Sequence, residues 1–410
     1  MAKLFSRQET FYLQNESSYG TVPNSSGTAT VASADACSMI QFKMNKITDS
    51  IFRRDKTGSR TASAGIAGRK IANWSSNMSL VTGATAGTAP DCDPILRSLF
   101  GAAPTAKSGT VSVTGATNAS PIVITAAAHG LSTYDAVTIS SVGGNTAANG
   151  VWLVNVLTSS TFELINSSGN GSYTSGGSIN KAALVYTPTD AELSFAAWSF
   201  RVPSGGQQRV AGGCVAQNGT FNLGEDIATW QASGLAKWVL DSKNFSSATT
   251  TEKMGLTAFP SDPGSPVTLG GGIAGFKGMA YLNGGLITRI RTAQIKYGSG
   301  LDLPRDLFGT EYVDNPEADE RSVLLSYNMY EDDSTAQANL EQAAADKTSL
   351  DMLFQVGTTA ANIYFMVLRG VQLASPDRDD SQRAFTMNYG DSRAYGSGIT
   401  AFNEMRLWAI

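Results

Sequence analysis

Along most of this chain apolar and polar residues alternate one by one, the mark of strands with one buried face. In residues 39–45, Ile40, Phe42 and Met44 fall on one face and Gln41, Lys43 and Asn45 on the other. In residues 73–80, Trp74, Ser76, Met78 and Leu80 oppose Asn73, Ser75, Asn77 and Ser79. Further strands are expected at ALVYT, ELSFAAWSFRV, QRVAGGCVAQNGTFNL and ATWQASGLAKWVL between 183 and 240. After about 276 they are expected at LITRIRTAQI, SVLLSYNMY, LDMLFQV, NIYFMVLRGVQLA and RAFTMNY. The pattern turns helical twice. At 93–100 (DPILRSLF), Asp93 can cap, Pro94 suits the first turn and Gly101 can end the helix. At 335–347 (TAQANLEQAAADK), Leu340, Ala343 and Ala344 share a face.

Two stretches lack a packing period. Residues 1–35 are polar and rich in Gly, Ser and Thr, and read as an extended arm. Residues 241–275 read as a linker, long for a connection inside one compact domain and suited to a strap between two. Residues 107–182 differ again. Their only charged side chains are Lys107, Asp135, Glu163 and Lys181. Short strands (TVSVT, PIVIT, DAVTIS, GVWLVNV, TFELIN) follow one another between Ser, Thr, Gly and Asn turns. This reads as a small β-module inserted between a helix and its next strand, expected to fold by itself and to project outward.

The chain also repeats itself. Arg54–Asp55 and Ser75–Met78 recur as Arg305–Asp306 and Ser326–Met329, displaced by 251 residues. A helix follows in each half, and then GGCVAQ at 212–217 matches RGVQLA at 369–374, displaced by 157. The insert accounts for most of the difference between the offsets. The first copy is therefore 36–106 with 183–240, and the second is 276–410.

Composition narrows the function. At 410 residues the chain should hold two or three domains. Charged residues are 16%, below the usual quarter, and Gly reaches 42, which suits many short strands and turns. The net charge of −4 and the lack of a basic patch exclude a general nucleic-acid binder. Arg53, Arg54, Lys56 and Arg60 are interleaved with Asp55 and read as a solvated loop. Cys37, Cys92 and Cys214 are odd in number and widely spaced, which suits reduced thiols in a reducing cytoplasm. The first residues carry no continuous apolar run, and no stretch is long and apolar enough to span a membrane.

Enzyme chemistry finds little support. His129 is the only histidine, and His129–Gly130 before a strand reads as a turn pair. Asp332 and Asp333 sit where a helix is capped, while Asp377, Asp379 and Asp380 read as a hairpin tip; neither cluster has the Gly and Glu spacing of a calcium loop. The glycine clusters at 143–150, 270–272 and 297–300 lack the Lys-Ser/Thr of a phosphate loop. Asn73 and Asn218 head Asn-x-Ser/Thr triplets, which mean little here. No catalytic, cofactor-binding or metal residue is assigned, and no cofactor is expected.

An arm, a strand pair joined by a long Arg-Asp loop, one helix and then the strand GGCVAQNGTFNL together resemble bacteriophage major tail tube proteins of long non-contractile tails. The resemblance covers 1–106 and 183–410. The insert is similar to FCCH-like β-modules through AAHGLSTYDAVTIS, GNTAANGVWLVNVL and STFELINSSGNGSYTSGG. The resemblance implies a mainly β chain with two tandem tail-tube-type β-sandwich or barrel domains, each with one helix, plus a small inserted β-barrel-like module. It implies a structural virion protein, not an enzyme, assembled in the host bacterial cytoplasm as stacked rings that conduct DNA at ejection. Its partners would be itself, tape measure, tail terminator and tail tip proteins, and passing double-stranded DNA, with no membrane. Six tube domains per ring would need three of these chains, or six chains if each holds one. The alternative is a carbohydrate-binding or adhesive virion surface protein, with Trp152, Tyr134 and Tyr173 of the insert as its binding face.

Overall fold

The chain is mainly β, as its alternation predicts. A computed structural model describes residues 9–23, 30–52, 56, 60–61, 64–201, 207–224, 226–247, 253–263, 272–275, 278–304, 308–313, 315–332, 335–359, 362–381, 384–398 and 401–410. The first half opens with β1 (Glu9–Asn15), β2 (Ala36–Cys37), β3 (Gln41–Ile51), β4 (Ile66–Ser79), α1 (Asp93–Phe100) and β5 (Thr105–Lys107). A module of seven short strands follows: β6 (Thr110–Ser112), β7 (Gly115–Ala116), β8 (Val123–Thr125), β9 (Ala136–Ser140), β10 (Gly150–Thr158), β11 (Thr161–Leu164) and β12 (Ser178–Asn180). The half closes with β13 (Ala183–Tyr186), β14 (Phe195–Arg201), β15 (Gln208–Leu223), β16 (Thr229–Ala236) and β17 (Trp238–Asp241). The second half holds β18 (Met279–Leu282), β19 (Gly285–Ile287), β20 (Ile290–Gly298), β21 (Leu301–Asp302), β22 (Glu317–Ala318), β23 (Ser322–Tyr330) and α2 (Thr335–Asp346). It ends with β24 (Ser349–Thr359), β25 (Asn362–Gln372), β26 (Asp377–Asp379), β27 (Thr386–Ala394) and β28 (Met405–Ala409).

The pairings build one antiparallel inner sheet, a half-barrel in the order β3-β4-β16-β15-β20-β23-β27-β26. Its centre is the β15–β20 pair, from Asn218↔Gly298 to Leu223↔Ala293, which fuses the two halves. One face of this sheet is apolar. Trp74, Phe221 and Trp230 of the first half and Ile295, Tyr327 and Tyr389 of the second lie buried in a single shared core. At roughly 25 cal/mol per Å² of buried apolar surface, such aromatic side chains dominate the driving force.

The two halves repeat the same register. Gln41↔Asn77 and Lys43↔Ser75 in the first half recur as Thr292↔Asn328 and Gln294↔Ser326 in the second, at an offset of 251 on both strands. Asn77↔Gln231 recurs as Asn328↔Asn388, and Met78↔Trp230 as Met329↔Met387, with the later strand offset by 157. In the outer sheets Trp198↔Val210 recurs as Leu353↔Val367, and even the bulges agree, at Phe195/Ala197 and Leu350/Met352. Both β15 and β25 cross from outer to inner sheet at a left-handed glycine, Gly213 and Gly370, each with φ of 62°. A side chain there would be strained and would also strike Lys237 or the Gly396 backbone.

The structure departs from the sequence reading in several places. Within the stretch 1–35, expected as an arm, β1 pairs along its whole length with β14, from Glu9↔Arg201 to Asn15↔Phe195. Phe11, Tyr12 and Leu13 are buried in succession, so a run of only seven residues with three consecutive apolar side chains suffices to join the sheet. Its counterpart is β18 on β24, with Tyr281↔Leu353 matching Tyr12↔Trp198, so the first repeat begins one strand before residue 36, while β18 falls within the expected second copy. The stretch 241–275 is not a bare strap. Leu256 is buried, and Phe245, Met254 and Phe259 pack on the core around Tyr12 and Trp198. Phe259 meets Trp198 edge-on at 6.2 Å between centroids, and Tyr12 Oη donates to Asp262 Oδ1 at 3.0 Å. Asp93 is not the cap of α1. Cys92 holds that position, while Asp93 in the first turn accepts from Arg97 and from Tyr186. Asp377 and Asp379 are not a hairpin tip but lie on strand β26. The Arg-Asp pairs at 54–55 and 305–306 fall outside the described residues, as does Asp333.

The insert is a seven-stranded unit ordered β6-β12-β9-β10-β11-β8-β7, with its own core around Ile124, Val154 and Phe162. It leaves and re-enters the body through the paired strands β5 and β13, where Lys107 faces Ala183. It does not simply project. Ala136, Leu153 and Ile165 bury against Leu353, Phe365, Val367 and Trp408 of the second half's outer sheet. Tyr134 Oη donates to Asp351 Oδ2 at 3.0 Å, under the Arg369 guanidinium. Moreover β13 extends that same outer sheet by pairing with β28, although its sequence position assigns it to the first copy.

Candidate assembly and conduit surface

The alternation that buries one face of the inner sheet leaves the other face polar. Read across the strands it carries Gln41, Lys43 and Asn45, Asn73, Ser75 and Asn77, Gln231 and Ser233, Asn218, Thr220 and Asn222 from the first half. The second half continues it with Thr292, Gln294 and Lys296, Ser326 and Asn328, and Asn388 and Asp391. Amides and hydroxyls dominate, and Asn73 and Asn218 belong to this face. The few charges are largely paired. Lys296 Nζ lies 2.9 Å from Asp391 Oδ1, which also accepts from Ser326 Oγ at 2.7 Å. These donors hold the Asp391 carboxyl below the usual carboxylate range. Gln294 Nε2 donates to Asn222 Oδ1 at 2.8 Å across the junction of the two halves.

One end of the face is covered. Leu301, Leu303 and Val313, from the segment between β20 and β23, pack on Ile71 and Val215, and Lys70 pairs with Glu311 at 2.6 Å. In the equivalent β3–β4 hairpin of the first half, Ile51, Phe52 and Ile66 are all more than half exposed. Both lateral edges of the sheet are open. Among the described residues β3 pairs only with β4, and β26 pairs only with β27. Long open edges ordinarily invite pairing with another chain.

The residues considered for chemistry have structural partners. His129 is buried edge-on to Phe162, its Nε2 within 2.9 Å of the Thr158 carbonyl, while Nδ1 accepts from Leu131 N at 3.0 Å. Gly130 beside it is left-handed. Cys37, Cys92 and Cys214 are buried free thiols, and burial pushes each well above the ordinary thiol value. Asp332 pairs with Arg289 at 3.4 Å. Among the described residues no group of three His, Cys, Asp or Glu could hold a metal ion, and no helix is long and apolar enough to cross a membrane. A cleft of about 400 Å³ is lined by Arg321, Asp190 and Glu404, but Arg321 is already held by both carboxylates, at 3.1 and 3.0 Å.

The three aromatics that would serve a glycan are engaged too. Trp152 Nε1 donates to the Ala148 carbonyl at 3.0 Å, Tyr173 Oη to Val113 and Gly176 carbonyls, and Tyr134 to Asp351. Sequence reasoning found the strands of the polar face except β26, but not the face itself, because its residues are unremarkable one at a time and gain meaning only from register. No protein-family model and no curated protein matches this chain.

Proposed function

We propose that this chain is the major tail tube subunit of a long-tailed bacteriophage, assembling into stacked rings that conduct genomic DNA. The observation that carries the reading is the inner sheet: eight strands, one polar face rich in amides and hydroxyls, and two open edges at the ends of an internal repeat. A duplex carries one charge per roughly 1.7 Å, and proteins hold it by neutralising phosphates with Lys and Arg. A wall of amides and hydroxyls with few cations lets DNA pass without gripping it. The repeat supplies two tube units per chain, so three chains would close a ring of six. The exposed Ile51, Phe52 and Ile66 give such a ring an apolar contact for the next one in the stack. Negative-stain microscopy of the purified chain tests this. Rings or tubes of pseudo-sixfold outline are expected, and native mass spectrometry should count three chains per ring. Dispersed particles that bind glycan arrays through the insert would instead favour an adhesive surface protein.

A further inference from the structure

The chain already contains one finished junction between repeats, and it has the two unfinished halves of another. The finished one is β15 on β20. The counterpart of β20, by the register offset of 251, is the open strand β3. The counterpart of the end of β15, by the offset of 157, is the segment 375–380, which contains β26. β26 holds the equivalent place, since Thr220↔Gln231 recurs as Asp377↔Asn388.

We infer that the open edge of β3 takes the segment 375–380 of a second copy of this chain, with Asp377 opposite Asn45 and Asp379 opposite Lys43. This deepens the ring reading and rests on it for closure, whereas the register rests on the repeat alone. Mapping the inner junction onto the outer one gives each pair. Thr220↔Lys296 becomes Asp377 opposite Asn45, and Asn222↔Gln294 becomes Asp379 opposite Lys43. The second substitution is chemically complementary. Where Gln294 and Asn222 share an amide–amide hydrogen bond of 2.8 Å inside the chain, an ammonium and a carboxylate meet between chains. Pairs directly opposite on one face of a sheet are close enough to interact, and opposite charges there are favourable.

The reverse face follows the same logic. Phe221↔Ile295 and Leu223↔Ala293 are apolar inside the chain. Their outer counterparts set Arg378 opposite Met44 and Asp380 opposite Phe42, so the edge stays hydrated until it pairs. Arg378 is held ready by Glu331 at 2.6 Å and by the Phe385 ring. Pro376 stands in the place of Gly219 and has no N–H to give, which leaves the outer ladder one bond short of the inner one. The outer junction is therefore more polar and weaker than the inner one, as suits subunits that must remain soluble before assembly. Pairing would also neutralise Lys43, a cation of the polar face that forms no ion pair among the described residues.

Two experiments on the full chain test this. Lys43→Asp and Asp379→Lys singly should each lower the assembled fraction at least tenfold, and the double variant should recover to within about threefold of wild type. Both side chains lie at an edge, so folding is checked by circular dichroism of the unassembled fraction. For register, Asn45→Cys with Asp377→Cys should oxidise to a covalent ladder of chains, whereas Asn45→Cys with Asp379→Cys should not. Directly opposed residues meet the geometry of a disulfide and residues two positions off do not. The native thiols are buried and do not compete. A ladder from the shifted pair alone, or a charge-swapped double variant no better than the singles, overturns the inference. Rings that form without either cross-link also overturn it and leave the tube reading standing. A ladder of open oligomers without rings supports the edge pairing and overturns the tube.

Discussion

The docking of the insert can be separated from its folding by two adjacent residues. On β10, Leu153 points to the outer sheet of the second half and is 3% exposed, while Val154 points into the insert's own core and is fully buried. Leu153→Ala should weaken docking by about 2–3 kcal/mol, the low end of the 2–5 kcal/mol for such truncations, because the interface can settle toward the gap. Val154→Ala removes two carbons from the insert core, about 1.6 kcal/mol before any cavity effect. A loss of about 2 kcal/mol raises a local opening equilibrium roughly thirtyfold. Amide hydrogen exchange on the full chain reads this. With Leu153→Ala, amides of the docked segments of β13, β25 and β28 should exchange about thirtyfold faster while β8, β11 and β12 hold their protection. With Val154→Ala the pattern should reverse, the insert strands loosening first. Equal loosening of both regions by both variants would refute a docked module with an independent core.

Three further outcomes follow from named contacts. Gly213→Ala and Gly370→Ala should each destabilise by about 2–4 kcal/mol in urea unfolding, from left-handed backbone strain plus the collision with Lys237 or the Gly396 backbone; an effect at one site only would break the equivalence of the repeats. Replacing Ile51 and Phe52 by Ser should leave single rings intact and shorten tubes in electron micrographs, and tubes of normal length would remove the hairpin from the stacking contact. Burial and the neighbouring Asp351 push the Tyr134 hydroxyl up to about 12. Its folded value lies above the ordinary 10, so its contribution is fully present below pH 10 and is lost as pH rises toward 12. Docking measured by exchange should weaken across that window in wild type and much less in Tyr134→Phe.

How much of this was legible beforehand depends on the range of the physics involved. Alternation is local, so Phe42 and Met44 against Lys43 and Asn45 gave the strand and its buried face directly. The faint recurrence of Ser-x-Asn-Met pointed to a repeat whose full register only pairing could display, down to matching bulges. What stayed hidden depended on distant partners. Seven residues of β1 looked like part of a polar arm because their packing against β14 lies some 190 positions away in sequence. The insert's outer residues Leu153 and Ile165 looked like ordinary core positions of a free module, since nothing local reveals that Trp408 and Phe365 wait opposite. Asp377 and Asp379 looked like a turn because three charged residues carry no strand period; the neighbour β27 makes them a strand.

Duplication within one chain also explains why the two repeats have diverged where they have. A ring of six identical units must use one junction six times, so that junction has to be soluble when open and firm when closed. A chain carrying two units uses each of two junctions three times and can divide those demands. The inner junction never opens in a folded chain, so Phe221, Leu223, Ile295 and the Gln294–Asn222 amide pair can be optimised for packing alone. The outer one retains charges and a proline at the same positions, which guard an exposed edge against indiscriminate pairing. The same asymmetry frees one loop of the first repeat to accept an insert, since the surface that receives it, around Leu353 and Trp408, belongs to the second repeat of the same chain. A single-repeat ancestor would have had to dock such an insert on a neighbouring subunit, coupling its folding to assembly. The duplicated chain completes that interface within itself.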